Sequence, residues 1–199
     1  MSLFNRIAAA VLLGTAACSS NSPAQTPSGG RAAAVFAGGC FWCTEADFDK
    51  IPGAISTTSG YTGGSVANPT YKQVSAGGTG HIEAVRVVYD PKRVSYAELV
   101  RRFLPTIDVT DGGGQFCDRG ESYRPAIFVA NPEQRQVVRA ALGRIDPRIK
   151  EPLQVAILPS ARFWSAEGYH QNYYKRNPVR YKYYRWNCGR DQRLKELWS

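Results

Sequence analysis

The eight residues Ile82-Glu83-Ala84-Val85-Arg86-Val87-Val88-Tyr89 constrain the fold of this chain more than any other stretch. Their side chains alternate strictly, with Ile82, Ala84, Arg86 and Val88 on one face and Glu83, Val85, Val87 and Tyr89 on the other. A period of two over this length predicts a β-strand, and Asp90-Pro91 ends it because proline cannot donate to the ladder. A domain built around such a strand needs a second layer to cover its apolar face.

The segments around it supply partners in an interpretable order. Ala32–Gly38 (AAAVFAG) predicts a strand, and two glycines then lead into a helix that starts near Cys40 or Phe41 and stops at Pro52-Gly53. Ala54–Tyr61 (AISTTSGY) predicts another strand. A long Gly-rich connection, 62–80, follows it, and connections of that length are usually functional. After Tyr89, Ser95 stands three residues before Glu98, the spacing of a capping box, and opens a helix reaching about Leu104. The irregular, Gly-rich stretch 108–124 leads into a buried-type strand, Ala126–Ala130. Asn131-Pro132 opens a helix to about Arg144, and Leu153–Leu158 predicts a last strand. Beyond it the chain is aromatic, basic and less regular. The order β-α-β-β-α-β, then α-β and a tail, predicts an α+β fold: a ferredoxin-like sandwich with long loops gathered at one end and a partly irregular C-terminal tail.

The chain of 199 residues begins outside that domain. Residues 1–17 carry one early cation, Arg6, then an apolar run too short to remain as a membrane span, which predicts a secretory signal. Ala16-Ala17-Cys18 resembles the end of a lipoprotein signal, where the cysteine is lipidated, although Thr15 stands where such signals usually have Leu. Cleavage near Ala17 to give a soluble protein is the alternative. Residues 18–31 are rich in Ser, Pro and Gly and read as a flexible tether. Both readings put the domain, residues 32–199, in the cell envelope facing the periplasm, and the lipidated form on a membrane. The formal charge of +9 favours an acidic partner, an anionic membrane or nucleic acid, or is simply a basic surface; export argues against nucleic acid.

Export also frames the cysteines. Cys40, Cys43, Cys117 and Cys188 could form two structural disulfides in an oxidising compartment, yet a domain of this size does not need staples, so a chemical role is open. Cys40-Phe41-Trp42-Cys43 follows Gly38-Gly39 at a strand-to-helix turn. The unpaired N–H groups and positive dipole at a helix start favour a thiolate there, which predicts a lowered Cys40 pKa. By spacing alone the motif is a redox dithiol, as in thioredoxin-like sites, or a buried structural pair. Zinc fits poorly, because neither Cys117 nor Cys188 has a second ligand close in sequence.

Five blocks in order extend this reading: GGCFWC (38–43), SGYTGG (59–64), TGHIEAVRVVYDP (79–91), CDRGESYRPAIF (117–128) and YHQNYYKRNP (169–178). Together they resemble the A-type peptide methionine sulfoxide reductases, over roughly 34–187. The resemblance implies an oxidoreductase for protein repair under oxidative stress. It would reduce the S epimer of methionine sulfoxide, free or in proteins, with no metal or organic cofactor. It implies that Cys40 is the nucleophile and becomes a sulfenic acid, and that Glu83 protonates the departing oxygen. Tyr61 and Tyr123 would hydrogen-bond the sulfoxide oxygen, and Asp118 would orient the site. Phe41 and Trp42 would cradle the S-methyl group. His81, His170 and Tyr174 are expected to be structural or pocket-lining. A second thiol would condense with the sulfenic acid to form an intramolecular disulfide, which a thioredoxin-like dithiol would reduce. A monomer is expected.

The chain departs from the family pattern at three places. Cys43 replaces a glycine in G-C-F-W-G. Cys117 and Ser122 replace Asn and Gln in N-D-x-G-x-Q-Y-R-S. Lys182 stands where N-P-x-x-Y-C has its resolving cysteine. The resolving thiol is therefore open: Cys188 is the first choice, since the family carries its resolver on a C-terminal tail, and Cys43 and Cys117 are the alternatives. Two further readings stand beside the resemblance: a general thiol–disulfide oxidoreductase using Cys40 and Cys43, and a basic binding module docking through the Tyr-, Arg- and Lys-rich tail. The first has no use for Glu83, Tyr61 and Tyr123 together.

Overall fold

The structure, a computed structural model, describes residues 30–199. The leader 1–17, Cys18 and the linker up to residue 29 lie outside the described residues. The elements are β1 (Ala32–Ala37), α1 (Phe41–Phe48), β2 (Ala54–Thr62), α2 (Tyr71–Ala76), β3 (Ile82–Tyr89), α3 (Tyr96–Phe103), β4 (Gly114–Gln115), β5 (Asp118–Arg119), β6 (Ala126–Val129), α4 (Pro132–Leu142), β7 (Ala156–Pro159), β8 (Trp164–Ser165), α5 (Tyr173–Arg176), α6 (Pro178–Asn187) and α7 (Arg190–Trp198).

One sheet has the order β7-β6-β1-β3-β2-β8, with β4 and β5 forming a separate two-stranded ribbon. Its middle, β6-β1-β3-β2, is the all-antiparallel ferredoxin-like arrangement of a β-α-β-β-α-β unit. β7 extends it in parallel to β6, and β8 closes the other edge against β2. The alternation of β3 decides the layers. Val85, Val87 and Tyr89 enter the main core with Phe36, Phe41, Phe48, Leu99 and Phe103. Ile82 and Ala84 join a smaller cluster with Ala37, Ala126 and Phe128 on the opposite face.

Three differences from the sequence reading have local causes. The 62–80 connection contains α2, capped at Thr70: its hydroxyl accepts from the Gln73 N–H while the Gln73 side chain accepts from the Thr70 N–H. At α3 the Ser95 hydroxyl does accept from the Glu98 N–H, but the Glu98 carboxylate turns to Arg101 and Arg102 instead of closing the box. The C-terminal tail is irregular only as far as 172, apart from β8, and then runs through three helices. Tyr181 of α6 packs on Cys43 and Ala46 of α1, and the Trp198 indole of α7 donates to the Ile107 carbonyl at 3.2 Å. The tail is therefore part of the domain. Among the described residues no helix is long and apolar enough to cross a membrane.

Candidate active site

Strand β1 delivers the chain to the N-terminus of α1, where Cys40 is the N-cap residue. The Cys40 carbonyl accepts from the Cys43 and Thr44 N–H groups at 3.1 and 3.3 Å, while no side chain of the helix caps it. The missing acceptor comes from the neighbouring strand. Glu83 of β3 is fully buried, and its Oε2 accepts from the Phe41 N–H at 3.0 Å. The turn that permits this contains Gly39 at φ +78°, where a Cβ would lie 2.5 Å from the Gln115 Cβ.

Glu83 stands directly opposite Tyr61 in the β2–β3 register, so both side chains rise from the same face. Glu83 is thus a buried carboxyl of a central strand, not a solvated one at a sheet edge. Burial pushes its pKa up to about 8, and the nearby Asp118 and Cys43 charges add to the shift, against the opposing Phe41 N–H bond. Glu83 is thus a protonated acid at neutral pH, built into the start of the helix that carries Cys40.

Around this carboxyl lie phenols. The Tyr61 hydroxyl donates to Glu167 Oε2 at 2.8 Å, and the other oxygen of Glu167 accepts from the Tyr71 N–H at 2.8 Å. Burial raises the pKa of Tyr71 and of Tyr123, and the Glu83 charge raises both further. Asp118, at the start of β5, accepts from the Tyr184 hydroxyl of α6; burial raises its pKa against that bond and against Arg190. Trp42 donates from its indole to His170 Nδ1 at 3.0 Å and stacks on Tyr173 at 3.7 Å between centroids, with the edge of Tyr184 at 5.6 Å. Phe41 packs on His170 and Tyr61 at 4.9 and 5.9 Å. His81 holds the 62–80 connection, with the Gly64 N–H on its Nδ1 and the Val66 carbonyl at its Nε2.

The thiols divide into an inner and an outer pair. Cys40 and Cys43 are free and buried. Cys117 and Cys188 form a disulfide with their Cα atoms 4.9 Å apart. The expected lowering of the Cys40 pKa is overturned. Burial raises it well above the usual thiol value, reinforced by Cys43, Glu83 and Asp118. The helix start cannot compensate, since α1 is short and its first N–H is already taken by Glu83. Cys43 is instead lowered to about 7, chiefly by a hydrogen bond from Cys40 and then, against burial, by Arg190 and Arg185. Of the inner pair, Cys43 is thus the more acidic thiol. Cys117, Asp118 and Cys188 bring three potential metal ligands within 4.8 Å of one another, but two of them are spent in the disulfide.

A buried acid beside a cysteine at a helix start, with phenols and an indole wall around them, is the constellation that the five sequence blocks imply. The peptide methionine sulfoxide reductase family model matches residues 32–199. This chain belongs to that family. The peptide methionine sulfoxide reductase MsrA 2 of Rhizobium meliloti is 51% identical over 166 residues, covering 83% of each chain. The MsrA/MsrB protein of Vibrio cholerae is 53% identical over 168 residues, 83% of this chain, which spans only 44% of that longer protein. The solved structure of methionine sulfoxide reductase A of Corynebacterium diphtheriae superposes with a TM-score of 0.72 at 34% identity, covering 75% of this chain and 76% of that one.

The structure gathers Cys40, Glu83, Tyr123 and Asp118 at the mouth of α1, with Phe41 and Trp42 as the first residues of that helix. It commits the Tyr61 hydroxyl to Glu167, and it pairs Cys188 with Cys117. Sequence reasoning missed Glu167, Tyr71, Tyr184 and Arg190. The Thr70-to-Gln73 spacing could have revealed the helix that presents Tyr71, whereas nothing in the sequence marks Arg190 as buried.

Proposed function

We propose that this chain reduces methionine S-sulfoxide, free or in proteins, to methionine, with Cys40 as nucleophile. The observation that carries this reading is the buried Glu83 carboxyl, protonated at neutral pH and bonded to the helix start beside Cys40. Cys40 attacks the sulfoxide sulfur while Glu83 protonates the oxygen and makes it a leaving group. In net terms oxygen passes to Cys40, which becomes a sulfenic acid, and methionine is released two electrons more reduced. Tyr123 offers its hydroxyl to the oxygen, and Tyr61 can do so once its hydroxyl turns from Glu167; Asp118, held by Tyr184, orients the site, and Phe41 and Trp42 present an apolar surface to the S-methyl group.

A second thiol then closes a disulfide on Cys40 with loss of water, and a thioredoxin-like dithiol reopens it. The tail position expected of the family favours Cys188. Cys43 is the rival: it is free and buried one helical turn from Cys40, and its pKa is lowered to about 7, while Cys188 is occupied by Cys117. Export in the cell envelope, lipidation of Cys18 and a monomeric state complete the reading; the polar tether after Cys18 suits a domain standing off a membrane. NADPH consumption with thioredoxin and thioredoxin reductase tests the reaction: turnover is expected on the S epimer, and its absence would sink the proposal. Disulfide mapping by mass spectrometry after one turnover distinguishes a Cys40–Cys43 bridge from a Cys40–Cys188 bridge.

A further inference from the structure

The aromatic, basic stretch near the C-terminus carries a feature that the reaction does not use. Residues 169–188 hold seven Tyr and Trp residues and five cations, Lys175, Arg176, Arg180, Lys182 and Arg185, with no Asp or Glu. Helix α6 divides this material between two faces. Inward, Tyr181 packs on Cys43 and Ala46, Tyr184 bonds Asp118 and Arg185 bonds Asp47. Outward, Val179, Tyr183 and Trp186 are 80%, 65% and 74% exposed. At positions i, i+4 and i+7 these three form one stripe about 60° wide, with the Tyr183 and Trp186 ring centroids 6.0 Å apart. Exposed apolar residues need no explanation singly, but three on one face of a ten-residue helix make a contact surface.

Cations border the stripe. Lys182 follows it on one side, Arg180 on the other, and Arg176 stands just before the helix, all three exposed. None of the three enters an ion pair among the described residues, whereas Lys175 is paired with Asp49 and Arg185 with Asp47 and Asp191. Asp191 is the one carboxylate lining the groove that Trp186 and Lys182 form with α7, and Arg185 already engages it. An apolar stripe flanked by unpaired cations has the chemistry of an interfacial helix. Indole and phenol rings favour the headgroup level of a bilayer, and Lys and Arg favour anionic headgroups.

We propose that this face of α6 docks the domain on an anionic phospholipid surface. Charge selects that occupant: a neutral apolar partner would leave Arg176, Arg180 and Lys182 unanswered, and the formal charge of +9 adds a general attraction to anions. The chain outside the described residues suits the same occupant. Residues 18–29 can span at most about 43 Å, so a lipidated Cys18 would hold the domain close to a bilayer. That source of membrane rests on the envelope reading proposed above; the docking itself needs neither lipidation nor turnover.

The test reads the face directly, because the apolar leader could by itself seat the chain on any vesicle. The full chain carrying Cys18→Ser is mixed with vesicles of brominated phosphatidylglycerol or of brominated phosphatidylcholine, whose bromines quench indole emission. Subtracting the emission of Trp186→Phe isolates Trp186. Its emission is expected to fall by about half on phosphatidylglycerol and to stay unquenched on phosphatidylcholine. Arg180→Gln/Lys182→Gln is expected to raise the lipid concentration needed for that quenching about 30-fold at low salt. An unquenched Trp186 on phosphatidylglycerol overturns the proposal, and if thioredoxin shifts its emission instead, the face belongs to the reductant. Equal quenching on both lipids, unmoved in the double variant, also overturns it, since the leader alone would then be acting. Circular dichroism checks each fold; where a variant fails, hydrogen exchange of the α6 amides in the parent decides, with slowing expected on phosphatidylglycerol vesicles and its absence overturning the proposal. No sulfoxide or reductase enters the quenching measurement, so its outcome is separate from that of the NADPH assay, and the absence of a lipid on Cys18 separates it from the envelope reading.

Discussion

Two buried carboxyls on either side of the same helix illustrate how one residue type is put to different uses. Glu83 points at the thiol end of α1, and Glu45 lies within it, its Oε2 accepting from the Asn172 N–H at 2.8 Å. Burial raises Glu83 to about 8 and Glu45 to about 7. As a general acid Glu83 is competent only while protonated, so kcat/KM on the S epimer should fall as pH rises above about 8. Glu83→Gln keeps an acceptor for the Phe41 N–H but has no proton to transfer. It should lower the rate by about 10²–10⁴-fold and abolish that alkaline limb, as a pH–rate profile would show. Glu45 should affect stability instead. A folded-state pKa above the unfolded one means that its favourable contribution is whole below about 4.5 and is lost as pH rises through about 7. Glu45→Gln removes that loss, so the decline in melting temperature between acid and mildly alkaline buffer should be smaller than in the parent, and a decline of equal size would refute the assignment.

At the scale of elements, the β1–α1 turn has the least latitude. Gly38 and Gly39 are both hemmed in: a Cβ at Gly38 would meet Thr44 Oγ1 at 2.8 Å, and one at Gly39 would meet the Gln115 Cβ at 2.5 Å in a left-handed backbone. Gly39→Ala therefore combines backbone strain with a clash, and should cost about 1–3 kcal/mol in urea unfolding as well as displacing Cys40. This turn, like β3, could be read from sequence because glycines before a cysteine-led helix and strict alternation are both local signals. Glu83 could be placed for the same reason, sharing a face with Val85 and Val87. Other parts resisted because their signals are not local. The helices after residue 172 bury single aromatics such as Tyr181 on one side and expose Val179, Tyr183 and Trp186 on the other, so no clean apolar stripe separates them from irregular chain. Arg190 reads as a surface residue in any window, since only the carbonyls of Gly38 and Thr106, brought from far along the chain, make its burial tolerable. The direction of the Cys40 shift escapes the sequence on the same grounds: the helix start is local, whereas the burial that outweighs it, reinforced by Cys43 and by carboxyls from β3 and β5, is set by the tertiary fold.

Over the whole molecule, the C-terminal helices are what close the site. Tyr184 of α6 bonds Asp118, Arg185 bonds Asp47 of α1, Arg193 of α7 bonds Asp108, and Trp198 bonds the Ile107 carbonyl. The Cys117–Cys188 bridge is the covalent member of this seam and spans a separation of 71 residues. Loop-closure entropy for that separation sets its stabilisation at about 4 kcal/mol at most, so Cys117→Ser/Cys188→Ser should move the urea midpoint down by a clear margin. The same double variant separates the two candidate resolving thiols. With Cys43 as resolver, the destabilised enzyme should still complete successive turnovers with thioredoxin at temperatures where it remains folded. With Cys188 as resolver, it should release one equivalent of methionine and stop. A chain that turns over normally and unfolds at the parental urea concentration would show that the bridge is neither a strut of the seam nor a step in the cycle.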